Sequence, residues 1–200
     1  GGVAIEIAAF WNNDEVVINT TTNGDGDDTI NITSAANAHA NTDLTINTGT
    51  GTDVVNVNGA VTLPSGGDLN IDSVTINLPN GTSDVTVSGA GEVALTAQNV
   101  SLSSGSSITS ATGDVDLVAA EDINVAGTIT SGGGDVTLHA DSNNNGSGEI
   151  FVDANVTSGG GAITIGGGTD PATDEAQKIT VNSGTVSSGA GNISIRGRDS

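Results

Sequence analysis

Three short runs of alternating aliphatic and polar residues, Val115-Asp116-Leu117, Ile123-Asn124-Val125 and Thr128-Ile129-Thr130, recur along this chain in a fixed order. The first returns at Val93, Val136, Ile163 and Ile193, the second at Val100, Ile150 and Ile179, and the third at Ile108, Val156 and Val186. The interval is 21 to 30 residues, and the longer intervals come from insertions at one corner. Period-two alternation places one side of each run inward and the other in water, the pattern of a half-buried strand. A three-strand unit cannot bury its apolar side alone, so copies must stack on one another. The repeat restricts the chain to an all-β fold, a parallel β-helix (β-solenoid) with about three short strands per coil. A low-hydrophobicity chain of high net charge can also be disordered, but disorder does not keep aliphatics in register over roughly a hundred residues.

From Val16 to Leu78 the runs are more loosely spaced: Val16–Ile18, Ile30–Ile32, Leu44–Ile46, Val55–Val57, Val61–Leu63, Leu69–Ile71 and Val74–Leu78. Pro64 and Pro79 follow runs directly and belong at corners, since proline cannot donate to a ladder. No linker or composition break interrupts the chain. We expect one solenoid segment over 1–200, less regular over 1–84 and regular over 85–200, forming about eight or nine coils with six inward aliphatics each. At roughly 4.8 Å per coil the rod would be about 40 Å long. The chain opens on Gly1-Gly2 and closes inside a new run, Ile193-Ser194-Ile195, which reads as a piece of a longer protein.

Two corners behave differently. The one after the third run is nearly constant, as ITSATGD at 108–114, ITSGGGD at 129–135, VTSGGGA at 156–162 and VSSGAGN at 186–192. Glycine is expected there to supply positive φ, and Ser or Thr to bond the turn backbone. The corner between the first and second runs is short at Ala119-Ala120-Glu121, and grows to DSNNNGSG at 141–148 and GGGTDPATDEAQ at 166–177. Solenoid insertions map to one face, often a binding face, so these two should stack along one edge.

Net charge is −21, and the cations are only Lys178, Arg196 and Arg198. Such a polyanion repels phosphate backbones and anionic lipid, so neither nucleic acid nor a membrane surface is an expected partner. No apolar run approaches the roughly 20 residues of a membrane span. Absence of cysteine removes disulfides and thiol chemistry. His39 and His139 have no metal-ligand spacing between them, and no nucleophile elbow is present, so we expect no enzyme. Paired carboxylates of a glycoside hydrolase are the remaining catalytic option. Phe10 and Trp11 read as packing residues of an irregular end.

The unit GGDVTLHA…IFVDANVTSGGG over 133–161 resembles the stalk repeats of filamentous-haemagglutinin-type bacterial exoproteins, many exported by the two-partner pathway. The resemblance covers 85–200 well and 16–84 loosely. It implies a right-handed β-helix at the bacterial cell surface or outside the cell, serving as stalk or adhesin. Its partners would be a host-cell, matrix or polysaccharide surface, or copies of the chain end to end in an extracellular filament. The family's secretion domain carries Asn-Pro-Asn; the nearest string here, Leu78-Pro79-Asn80-Gly81, lacks the first Asn, so no secretion domain is assigned.

Asn23-Gly24-Asp25-Gly26-Asp27-Asp28-Thr29-Ile30-Asn31 resembles the calcium-binding nonapeptide of RTX proteins, and Thr48 to Asn56 is a weaker copy 25 residues on. Calcium takes six to eight hard oxygens. One coil separates Asp28 from Asp53, so these two, with Asp25 and Asp27, form a candidate calcium site. The alternative is that each Asp caps its own turn. The remaining surface feature is a set of hydroxyl pairs flanking the third run, Ser107/Thr109, Thr128/Thr130, Asn155/Thr157 and Thr185/Ser187, a pattern also met on ice-binding faces. The plainer account is that Thr and Ser suit exposed strand positions.

Overall fold

The computed structural model describes residues 14–21, 26–36 and 41–198, and these form strands and turns with no α-helix. Twenty-two strands lie in three parallel sheets of eight, seven and seven, and every third strand joins the same sheet. This is a three-sided β-solenoid. Face A holds the eight strands, from Glu15–Asn19 to Ile193–Ile195; face B runs from Thr29–Ile32 to Lys178–Val181, and face C from Ala35–Ala36 to Val186–Ser187.

The register follows the aliphatic runs. Val93, Val115, Val136, Ile163 and Ile193 pair in sequence on face A. Val100, Ile123, Ile150 and Ile179 do so on face B, and Ile108, Ile129, Val156 and Val186 on face C. The looser early runs obey the same plan: Val16 pairs with Leu44, Leu44 with Leu69, and Leu69 with Val93. One slip by a single residue would turn a whole inward row to water, so burial enforces this alignment even where coil length varies.

The described stack is seven full coils and the opening strand of an eighth, fewer than the eight or nine expected. The inward residues form one continuous core from Val16 to Ala176. Its makeup departs from six aliphatics per coil. On face C the second inward position is Ser110, Ser131, Ser158 and Ser188 in successive coils, all buried. The strand Ala35–Ala36 opens face C with alanines, which carry no aliphatic signal. In the last coil the inward Val181, Ile193 and Ile195 are exposed, whereas their register partners Val152, Ile163 and Ile165 are buried.

Candidate functional site

The corner from face C into face A is closed by a glycine column. Gly67, Gly91, Gly113, Gly134, Gly161 and Gly191 stack so tightly that an added Cβ would lie 2.0–2.3 Å from the carbonyl oxygen one coil earlier. None of these six has positive φ, so the expected reason for glycine is corrected here. Close approach of consecutive backbones requires it, while positive φ is confined in this corner to neighbours such as Gly66, Gly89 and Gly189. The buried serines complete the closure. Ser110 Oγ donates to Gly91 O (2.9 Å), Ser131 Oγ to Gly113 O (3.0 Å), and Ser158 Oγ to Gly134 O (2.9 Å) and Gly161 O (2.7 Å). The recurrent Ser and Gly of this corner thus bind each other from coil to coil, and at Ser158 across the turn as well.

Directly after each column glycine stands an acidic ladder. Glu15 pairs with Asp43, and the register carries the position through Asp68, Glu92, Asp114 and Asp135 before Ala162 and Asn192 end it. In four steps a ladder carboxylate accepts the next coil's backbone N–H: Asp43 from Asp68, Asp68 from Glu92, Asp114 from Asp135, and Asp135 from Ala162, at 2.7–2.9 Å. These bonds hold the carboxylates in a row despite their mutual repulsion. Burial, then the charges of Asp68, Asp114 and Asp116, push the Glu92 carboxyl above its ordinary value. Burial, then Asp114 and Asp135, do the same to neighbouring Asp116, against a lowering hydrogen bond from Thr137.

The corner from face A to face B is open and carries the two insertions, stacked along one edge as expected. Residues 141–148 rest on the short corner beneath: Asn145 Nδ2 and Ser147 Oγ donate to the Glu121 carboxylate at 3.1 and 2.6 Å. Those donors hold Glu121 below its ordinary value. Asp141 and Asn144 sit at φ 52° and 53°, left-handed positions that Asp and Asn tolerate best among non-glycine residues. Residues 166–177 fold over this loop, with Gln177 N donating to Gly148 O at 3.0 Å. Asp174 Oδ2 accepts from Thr169 Oγ1, Thr169 N and Asp170 N, which keeps that carboxyl low. His139 Nε2 lies 2.6 Å from Gly168 O and so donates its proton there; its part is to tether the loop. Between the insertions opens a polar cleft of about 320 Å³ lined by Asn144, Gly168, Thr173, Asp174, Glu175 and Arg198.

The candidate calcium residues lie one coil apart at the start of face B, except Asp25, which is outside the described residues, as are His39, Phe10 and Trp11. Asp28 and Asp53 do stack, each directly preceding the paired residues Thr29 and Val54. Asp28 N donates to Asp53 Oδ1 at 2.7 Å, and Thr52 N donates to Asp27 Oδ1 at 2.9 Å, so these two carboxylates bond the backbone of the neighbouring coil rather than capping their own turns. Asp53 is fully buried, yet among the described residues its Oδ2 has no hydrogen-bond partner. A point occupied by a Cβ on Gly51 would lie 2.9 Å from Gly26 O, 3.2 Å from Asp53 Oδ1 and 3.4 Å from Oδ2. Glycine at 51 therefore leaves a small space bordered by three oxygens. Among the described residues, no three His, Cys, Asp or Glu side chains converge as a metal-binding group.

The outward surfaces of the three faces differ. Face A bears the acidic ladder. Face B carries an asparagine ladder, with Asn56 Nδ2 donating to Asn31 Oδ1 and Asn77 Nδ2 to Asn56 Oδ1, both at 3.0 Å. Face C presents threonine. Among the described residues no helix is long and apolar enough to cross a membrane. No protein-family model, curated protein or solved structure matches this chain.

Proposed function

We propose that this chain is a non-enzymatic structural segment, a stiff acidic rod belonging to a secreted or cell-surface bacterial protein that acts as stalk or adhesin. The observation that carries the reading is the unbroken register of three parallel sheets around one aliphatic core. Every coil bonds to the next through its backbone, so bending or stretching the rod means breaking ladders on three faces together. Four of the six ladder carboxylates are engaged by backbone N–H groups, which supports a structural use for them. The excess negative charge keeps rods apart in solution. The insertion edge, with its polar cleft, is the surface available to a host, matrix or polysaccharide partner. Antibody labelling of intact cells of the source organism tests the placement. Surface label on unpermeabilised cells is expected, and label seen only after permeabilisation would overturn it.

A second reading, calcium binding at the start of face B, is favoured by the buried Oδ2 of Asp53, which has no partner among the described residues. Asp53 and Gly26 O would supply hard oxygens there, and Asp27 and Asp28 stand beside them. A ligand of the folded state stabilises by mass action, about 2.7 kcal/mol at a hundred times its dissociation constant. The unfolding midpoint followed by circular dichroism should then rise from EGTA to millimolar Ca²⁺ in the native chain and stay flat in Asp53→Asn. An unchanged native midpoint removes the reading.

A further inference from the structure

The outward surface of face C combines three properties found together nowhere else on the rod. Thr62, Thr86, Thr109, Thr130 and Thr157 are register partners on five successive coils, forming one unbroken column. A second column beside it, two residues back along each strand, reads Asp84, Ser107, Thr128, Asn155 and Thr185. None of the five threonine hydroxyls in the first column has a hydrogen-bond partner among the described residues. That contrasts with the asparagines of face B, which bond to one another. In a chain of net charge −21 these two columns hold a single charge, Asp84, whose carboxylate takes the Ser107 hydroxyl at 2.6 Å.

We propose that the outward surface of face C binds ice. Along the column hydroxyls and methyls repeat at about 4.8 Å, and across to the next column at about 6.6 Å. Both repeats are close to oxygen spacings in hexagonal ice. Threonine suits such a lattice because its β-branch leaves few χ1 rotamers. The hydroxyl and methyl are therefore held in nearly the same place on every coil. A charged side chain would keep its own hydration shell and spoil the match, which excludes face A with its acidic ladder and face B with Asp122, Glu149 and Lys178. Ice is an uncharged lattice of hydrogen-bonding oxygens, and the threonine column of face C is the uncharged, unsatisfied and regular surface opposite it. A second rod is the weaker occupant. Seven strands of two to four residues give roughly 340 Å², less than half of what each partner contributes to a stable interface.

The test is ice-recrystallisation inhibition, with ice-crystal shaping near the freezing point, on the full chain. Thr109→Lys places a charge in the middle of the column, and Thr164→Lys places the same charge on the outward side of face A. Circular dichroism checks that both variants keep the β spectrum. The native chain and Thr164→Lys are expected to inhibit recrystallisation and shape ice, and Thr109→Lys to lose both effects. Native protein without effect on ice overturns the proposal, as does equal loss in both variants. Sedimentation at the same concentrations covers the other occupant: dimers abolished by Thr109→Lys, with ice growth unaffected, would make face C a contact between copies and sink the ice reading.

Discussion

The corner entering face A and the corner leaving it use the same residue types, Gly, Asp, Ser and Thr, and meet opposite constraints. At the entering corner consecutive backbones approach until no Cβ fits between Gly113 and Gly91 O, and buried Ser131 bonds back to the preceding coil. Its length is therefore held nearly constant from coil to coil. At the leaving corner the chain turns outward into water, and the link grows from three residues at 120–122 to nine at 140–148 without disturbing the pairing of Ile123 with Ile150. Charge follows the same division. At the entering corner carboxylates crowd one another, and Glu92 and Asp116 are pushed up. At the leaving corner donors surround each carboxylate, and Glu121 and Asp174 are pulled down. A solenoid thus keeps its pitch at one corner and varies its surface at another.

The comparison breaks most severely at Gly113. A valine there puts Cβ about 2.1 Å from Gly91 O, a backbone atom that cannot yield without separating two coils. Gly113→Val should cost more than about 4 kcal/mol, among the largest single-residue effects, read as a collapse of the urea midpoint. Gly133→Ala, with nothing within 4 Å of the new Cβ, is the matched control and should stay near native stability. Equal behaviour of the two variants would falsify the close-approach account.

A smaller effect is expected at Ser131, whose hydroxyl satisfies Gly113 O inside the core. Ser131→Ala leaves that carbonyl without this bond and should cost about 1–3 kcal/mol, measured by the same denaturation. At the leaving corner, replacing 169–174 by two glycines should move stability by less than about 1 kcal/mol, because closure entropy changes slowly with loop length. A loss as large as that of Gly113→Val would show that the insertion holds the coil together.

The smallest effects are those of pH, and their signs differ between the corners. A raised carboxyl binds its proton more tightly in the folded state. The stability linked to Glu92 and Asp116 is therefore full below the ordinary carboxylate range and is lost as pH rises through their elevated values. Glu121 and Asp174 contribute above the ordinary range and lose it as pH falls through their depressed values. Melting midpoints of Glu92→Gln should lack part of the decline between mildly acidic and neutral pH. Those of Glu121→Gln should lack part of the decline at more acidic pH. Reversed signs would mean that the ladder hydrogen bonds outweigh its repulsion.

Strand alternation is a local property, and it was legible. Each coil repeats its three runs in order, so the pairing of Val115 with Val136 followed from the chain alone, as did the shared edge of the insertions. A strand without an aliphatic signal, Ala35–Ala36, was not legible. Nor were interactions between coils, because coil length varies from 21 to 30 residues and residues that touch hold no fixed spacing in sequence. The acidic ladder emerged only once register aligned Glu15, Asp43, Asp68 and Glu92 with Asp114 and Asp135. The threonine column extended in the same way, from Thr109 back to Thr62. The sequence by itself determined which aliphatic residues point inward, since period two and apolarity suffice for that. Only the tertiary structure decided what each outward residue and each glycine meets: backbone approach, ladder contacts and the buried oxygen of Asp53 depend on the coil stacked above or below.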